Sequence, residues 1–247
     1  MIDEQIIRLP QLTGRFSFSL GQEQLLVVAG GRMPQSEWLT SCSVQRHVWC
    51  ADRGVDACRL AGIVPEVLLG DRDSGTIAGW QWASEQGSRV ALFPQDKDWT
   101  DLQLVLQEAG KTFDGAAVIV SGAFGGRFDH AWANATSLIW SREWGIRGWI
   151  MADEQEALVL LPGPASFEII DWQAPEVISL LPLAGPCNGV QMKGGHWSLP
   201  SELLEPTRPA TLCNRPEKDE KPAFQVESGW LGIYFSWDAC QVVRSII

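Results

Sequence analysis

EVLLGDRDS, residues 66–74, is a short apolar run that ends at Gly70 and then presents two aspartates, Asp71 and Asp73, on either side of Arg72. A run this short, rich in branched side chains and closed by a glycine, suits a strand buried on both faces. The same layout recurs around it. LLVVA (25–29) runs into Gly30-Gly31, HVWCA (47–51) into Asp52, RVALF (89–93) into PQDKDWTD (94–101), and AAVIV (116–120) into SGAFGGRFDH (121–130). Between these runs lie stretches long enough for crossover helices. Over Asp101–Gly110, Leu102, Val105, Leu106 and Ala109 fall at helical spacing, with Gly110 as a stop. A second helix is predicted over Asp129–Glu143, with Asp129 near its N-cap and Gly145 past its end. Strands alternating with helices predict an α/β domain with a mostly parallel sheet over residues 1–152.

The pattern changes beyond residue 152. Ala157–Leu161, Phe167–Trp172, Val177–Leu181 and Gly229–Phe235 are apolar runs separated by Pro and Gly, with one short helical stretch expected near Ser201–Leu204. Residues 153–247 therefore read as an all-β domain, a small sandwich or barrel, with the charged RPEKDEKP (215–222) as an exposed hairpin loop.

The 247 residues are 45% hydrophobic and include 13 Trp, which excludes a disordered chain. No apolar run reaches the roughly 20 residues of a membrane-spanning helix. The N-terminal Met-Ile-Asp-Glu-Gln shows neither the basic nor the apolar part of a signal peptide. The net charge of −11 and the lack of a basic stripe argue against a nucleic-acid partner. The six cysteines form no C-x-x-C pair, so the expectation is reduced thiols in the cytoplasm.

The acids fall where predicted strands end: Asp52, then Asp71 and Asp73, then Asp96, Asp98 and Asp101. In an open parallel sheet these ends share one edge, where ligands bind. Two carboxylates about 4 Å apart repel by about 4 kcal/mol at an effective dielectric of about 20, so converging acids call for a cation or for protonation. Mg²⁺ suits carboxylate ligands and leaves positions for phosphate oxygens. The loop after AAVIV complements it: glycines admit backbone N–H groups to an anion and Arg127 offers a bidentate fork. Lys97 adds a point charge in the same region. Taken singly, each motif has a plainer reading: Asp-x-Asp as a turn, Asp98, Thr100 and Asp129 as helix caps, His130 as a surface residue. A Walker P-loop is excluded because no G-x-x-x-x-G-K-[ST] occurs, and Gly30-Gly31-Arg32 does not continue into G-x-G-x-x-G.

Together, GDRDS (70–74), DKDWTD (96–101) and GGRFDH (125–130) occur in an order and spacing that resemble the thiamine pyrophosphokinase family, whose patterns are G-D-x-D-S, D-x-D-x-T-D and G-x-R-x-D-H/Q; CADRG (50–54) resembles its A-D-G-G segment. The resemblance implies an α/β nucleotide-binding domain, a C-terminal β-sandwich, a homodimer, and transfer of the β,γ-pyrophosphate of ATP to the thiamine hydroxyl with release of AMP. It implies that Asp71, Asp73 and Asp101 act as the catalytic, Mg²⁺-holding acids. Asp52, Asp98, Lys97, Thr100, Gly126, Arg127, Asp129 and His130 would line the ATP site. Trp197, Cys213 and Asn214 would meet thiamine at a subunit interface. Three positions depart from the pattern: Arg53 in place of a glycine, Arg72 where Phe is frequent, and Cys213 in place of Ser. Two other readings fit the same motifs: a pyrophosphokinase for another alcohol such as a hydroxymethylpterin, and a non-catalytic thiamine diphosphate binder, which the three departures motivate.

Overall fold

The computed structural model of the chain describes residues 4–94, 96, 98–218 and 220–237. It divides into two compact units, Gly21–Asp153, and Met1–Leu20 together with Glu154–Ile247. The first 20 residues thus leave the α/β unit to which the sequence reading assigned them. They form an antiparallel hairpin, β1 (Ile6–Leu9) and β2 (Leu12–Phe16), whose apolar face is buried.

The α/β unit then runs β3 (Glu23–Val28), α1 (Ser36–Ser43), β4 (His47–Ala51), α2 (Gly54–Ala61), β5 (Val67–Gly70), α3 (Ile77–Glu85), β6 (Arg89–Leu92), α4 (Asp101–Thr112), β7 (Ala116–Ser121), α5 (Phe128–Trp140) and β8 (Gly148–Ala152). Its strands stand in the order β8-β7-β3-β4-β5-β6, and their pairings are parallel. Every residue of β7 is buried, as are Leu25–Val28 of β3, which is why these strands read as unbroken apolar runs. The chain steps from β3 through β4, β5 and β6 in one direction and then returns to β7 on the other side of β3. The crevice beyond the carboxyl ends of β3 and β7 is therefore a switch point of the topology, the place where such sheets bind ligands.

The helix over 101–110 extends two residues further than expected. Gly110 does not stop it; a Cβ there would lie 1.9 Å from the carbonyl oxygen of Trp144, so glycine is required by close packing against the 3-10 turn Ser141–Trp144. Thr100 begins α4 with a capping box: its side chain accepts from the Gln103 backbone N–H at 3.3 Å, and the Gln103 side chain accepts from the Thr100 N–H at 2.9 Å. The helix expected over 129–143 is α5 followed by that 3-10 turn, closed by Gly145 at φ 94°. Arg127, not Asp129, occupies the N-cap position, and Asp129 sits in the first turn.

The other unit continues with β9 (Glu156–Pro162), β10 (Ala165–Trp172), β11 (Val177–Pro182), β12 (Cys187–Lys193), β13 (Leu199–Leu204), β14 (Ala223–Val226) and β15 (Trp230–Ser236). Within it the strand order is β1-β2-β10-β14-β12-β13 in one group and β11-β15-β9 in the other, and the pairings are antiparallel. The pairing of β2 with β10 is what draws the N-terminal hairpin into this unit. The helical turn expected at Ser201–Leu204 is strand β13. It lies at the end of its group, where Pro200 removes no ladder hydrogen bond of a central strand and pushes Leu199 toward extended backbone. Of the charged 215–222 stretch, the described residues 215, 217, 218, 220 and 221 are exposed, but the stretch does not join a hairpin, because β13 and β14 both pair with β12 and not with each other. Among the described residues, no helix is long and apolar enough to cross a membrane.

Candidate functional site

Loops at the carboxyl ends of β3, β4, β5 and β7, with the start of α4, line one cavity of about 570 Å³. Across the sheet edge its chemistry is ordered. Gly122, Gly125, Gly126 and Arg127 follow β7, Gly30 and Gly31 follow β3, Asp52 and Arg53 follow β4, Asp71, Asp73 and Ser74 follow β5, and Trp99, Thr100 and Asp101 lead into α4. Backbone amides and a guanidinium thus stand on one side and carboxylates on the other.

The carboxylates are positioned by specific bonds. Asp52 is 97% shielded from solvent and has left-handed backbone, φ 41°, a conformation Asp tolerates better than most residues. Its N–H donates to the Leu69 carbonyl at 2.7 Å, and its Oδ1 accepts from the Arg72 N–H at 3.2 Å. The Ser74 hydroxyl donates to its Oδ2. Gly54 behind it is obligatory, because a Cβ would lie 1.8 Å from the Val28 carbonyl oxygen, so α2 presses directly against the end of β3. Asp71 Oδ1 accepts from the Asp73 N–H at 3.0 Å, which curls the loop back on itself.

Asp52, Asp71 and Asp101 offer carboxylate oxygens that all lie within 4.8 Å of one another. This trio differs from the expected Asp71, Asp73 and Asp101. Asp73 lines the cavity but is exposed, three residues past the strand, where Asp71 is half-buried, while Asp52 enters from the neighbouring strand. Burial, then the charge of Asp71 and a hydrogen bond with it, then the charge of Asp52, hold the Asp73 carboxyl above the usual range; the Ser74 hydroxyl opposes them. Three hard oxygen donors, with neither nitrogen nor sulfur among them, are the ligand set of Mg²⁺ or a similar cation.

On the opposite side the Arg127 Nε donates to Asp129 Oδ1 at 3.1 Å, and its Nη2 bonds the other oxygen. This fork holds the Asp129 carboxyl below the usual carboxylate range. The Asn134 amide donates to the Ala123 carbonyl at 3.0 Å and so pins the glycine loop to α5. Arg32 bonds the buried Asp153 at 2.6 Å, and its backbone N–H donates to Phe124 O at 2.7 Å, bracing the same loop from β3.

Of the residues proposed for the nucleotide, Asp52, Thr100, Gly126, Arg127 and His130 line the cavity. Asp129 meets it only through Arg127, Asp98 is exposed and outside the lining, and Lys97 lies outside the described residues. Gly30, Gly31, Arg53, Ser74, Trp99 and Asn134 also line it and were not singled out as site residues. The glycine pair was visible as a strand-end signal.

In the β-rich unit, Trp197 and Asn214 line a separate hollow of about 130 Å³ with Leu180, Met192, Leu199 and Leu212. The Asn214 side chain clamps the Trp197 backbone, accepting from its N–H at 3.2 Å and donating to its carbonyl at 2.9 Å. The indole is 58% exposed. Cys213 is not in the lining; its N–H donates to the Ser179 hydroxyl at 3.1 Å, and it has left-handed backbone at φ 58°.

Residues 40–150 match the family model described as thiamin pyrophosphokinase, catalytic domain. The curated "Thiamine pyrophosphokinase 2" of Oryza sativa subsp. japonica is 29% identical over 143 residues, 55% of this chain and 52% of that protein. "Thiamine pyrophosphokinase" of Bacillus subtilis is 27% identical over 189 residues, 76% of this chain and 86% of that protein. The match thus spans about half of the rice protein and most of the bacterial one. Among solved structures, thiamine pyrophosphokinase from Bacillus subtilis superposes with a TM-score of 0.76 at 22% identity, covering 87% of this chain and all of that one. The yeast protein gives 0.72 at 11% identity, covering 90% and 88%. The mixed α/β fold is the fold of those structures, and residues 40–150, somewhat less than half of the chain, carry the likeness to the thiamin pyrophosphokinase catalytic domain.

Proposed function

We propose that the chain transfers the β,γ-pyrophosphate of ATP to the hydroxyl of thiamine, giving thiamine diphosphate and AMP. The observation that carries this is the meeting of Asp52, Asp71 and Asp101 within 4.8 Å, in the same cavity as the Gly122–Arg127 loop. A metal trio facing amides and a guanidinium suits a polyphosphate and little else of comparable size.

Bound there, Mg²⁺ would neutralise phosphate charge as the bond to the leaving AMP breaks. The protein's own part is positioning. The glycine loop, braced by Asn134 and Arg32, presents backbone amides to the phosphates. Arg127 exchanges its bond to Asp129 for one to the nucleotide, and the trio fixes the phosphate chain at the other side. The thiamine oxygen bonds to the β-phosphorus in line with the departing α-phosphate oxygen, and the hydroxyl proton is released. No cysteine or serine with a paired base is needed for this direct route.

Thiamine would stack on Trp197, whose exposed indole is a suitable face for a cationic ring. Arg215 lies over the Trp197 ring at 5.9 Å and would have to move aside, and a second subunit in a homodimer would complete the site. The β-rich unit would be a sandwich: Phe224 of β14 and Phe235 of β15 meet edge-on at 6.0 Å, linking its two strand groups. A reducing cytoplasm suits the chain's free thiols, five among the described residues of the two units.

The test is to incubate the protein with ATP and Mg²⁺ plus thiamine or a hydroxymethylpterin, and to measure AMP and diphosphate ester. AMP and thiamine diphosphate in equal amounts support the reading. AMP with the pterin alone changes the acceptor, and tight thiamine diphosphate binding without AMP overturns catalysis.

A further inference from the structure

Arg53 stands at the head of α2, next to Asp52, and lines the cavity. Its stem is guided: a Cβ built on Gly30 would lie 3.0 Å from Arg53 Cβ and 3.8 Å from its Cδ, so the chain runs along the glycine that ends β3. Its surroundings are acidic, with Asp52, Asp71, Asp73 and Asp101 in the same lining. Yet its guanidinium has neither an ion pair nor a hydrogen bond among the described residues. The other arginines near the cavity are all engaged. Arg127 holds Asp129, Arg32 holds Asp153, and Arg72 lies over the Trp80 ring at 5.3 Å.

The sheet order gives this meaning. Arg127 follows β7 and Arg53 follows β4, with β3 and its glycine pair between them. With adjacent strands about 4.8 Å apart, the two strand ends are separated by roughly 10 Å. An anion lying over Gly30-Gly31 would therefore have a guanidinium on each side. A cation on the trio would take up Asp52, Asp71 and Asp101 and leave Asp73 as the one cavity carboxylate outside it, so Arg53, which bonds none of them, keeps its fork for an external anion.

We infer that Arg53 is a binding contact for the nucleotide's phosphate chain, a second phosphate-binding guanidinium across the glycine pair from Arg127. This rests on the pyrophosphokinase reading of the cavity.

The experiment compares wild type, Arg53→Ala and Arg53→Lys by calorimetric titration with MgATP in the absence of thiamine, and by steady-state AMP formation. A charge-assisted bond at a solvent-open site is worth about ten-fold in affinity. Arg53→Ala should weaken MgATP binding and raise the KM for ATP by that factor. The KM for thiamine and the melting temperature without nucleotide should stay at wild-type values. Arg53→Lys should recover part of the loss, because it keeps the charge and loses the fork. Wild type that binds MgATP and makes AMP, with Arg53→Ala binding equally well, overturns the role of Arg53 alone. Equal losses of both KM values and of melting temperature also overturn it, since they mark a structural residue. Wild type that does not bind MgATP overturns the cavity reading and this inference together.

Discussion

Replacing Asp71 by Asn removes one charge from the trio and keeps an oxygen that can accept the Asp73 N–H. Its stability effect is opposite in sign to its effect on function. At 4.8 Å two unit charges repel by about 0.9 kcal/mol in a water-like dielectric and by about 3.5 kcal/mol at an effective dielectric of about 20. Asp71 takes part in two such pairs, with Asp52 and with Asp101. The cavity is open and Asp71 is only half-buried, so the low end applies, and Asp71→Asn relieves about 2 kcal/mol when no cation is present. For a chain of this size that is a rise of roughly 4 to 8 °C in melting temperature. With Mg²⁺ the order reverses: wild type gains stability by binding the ion and the variant gains little. Turnover falls by at least about 100-fold, the cost typical of losing one pre-organised electrostatic group. The assay is thermal unfolding of both proteins with and without Mg²⁺, followed by AMP release. Asp71→Asn that melts below wild type without metal, yet keeps the full Mg²⁺-induced rise, would refute the reasoning, because the carboxylates would then neither repel one another nor share an ion.

Because Asp52 belongs to the trio and Asp73 does not, Asp52→Asn should lower turnover more than Asp73→Asn, which a side-by-side AMP assay measures directly. The hydrogen bond from Arg127 depresses the Asp129 pKa, so this pair's stabilisation is present above the ordinary carboxylate value of about 3.9 and is lost as pH falls through the lower folded value. Arg127→Ala should return Asp129 to the ordinary range in an NMR titration. Thr100→Ala removes the capping box at the head of α4 and should cost about 1 kcal/mol in chemical denaturation. It should also weaken Mg²⁺ binding through the loosened Asp101.

The parallel strands were legible because burial on both faces leaves nothing but apolar residues, as in β7. The short helices α1, α2 and α3 were not marked out, since each is eight or nine residues with few buried positions. The N-terminal hairpin gave no sign of its unit, because its partner β10 lies some 150 residues later and no local pattern encodes that pairing. Strand β13 was misread because Ser-Glu-Leu-Leu has good helix formers, and only its ladder with β12 and the preceding Pro200 make it extended. At the site, the strand-end aspartates announced an acidic edge, but not which three would meet. That depended on the left-handed backbone of Asp52 and on the turn that leaves Asp73 exposed. Arg53 stood out only as a residue in a glycine's place, and its use followed from the order of the strands.

The most direct test is a crystal of the protein soaked with Mn²⁺ and a non-hydrolysable ATP analogue, read by anomalous scattering. The account predicts a metal peak bonded by carboxylates of Asp52, Asp71 and Asp101 and by phosphate oxygens of the analogue. A nucleotide bound with its metal away from these three side chains would contradict it.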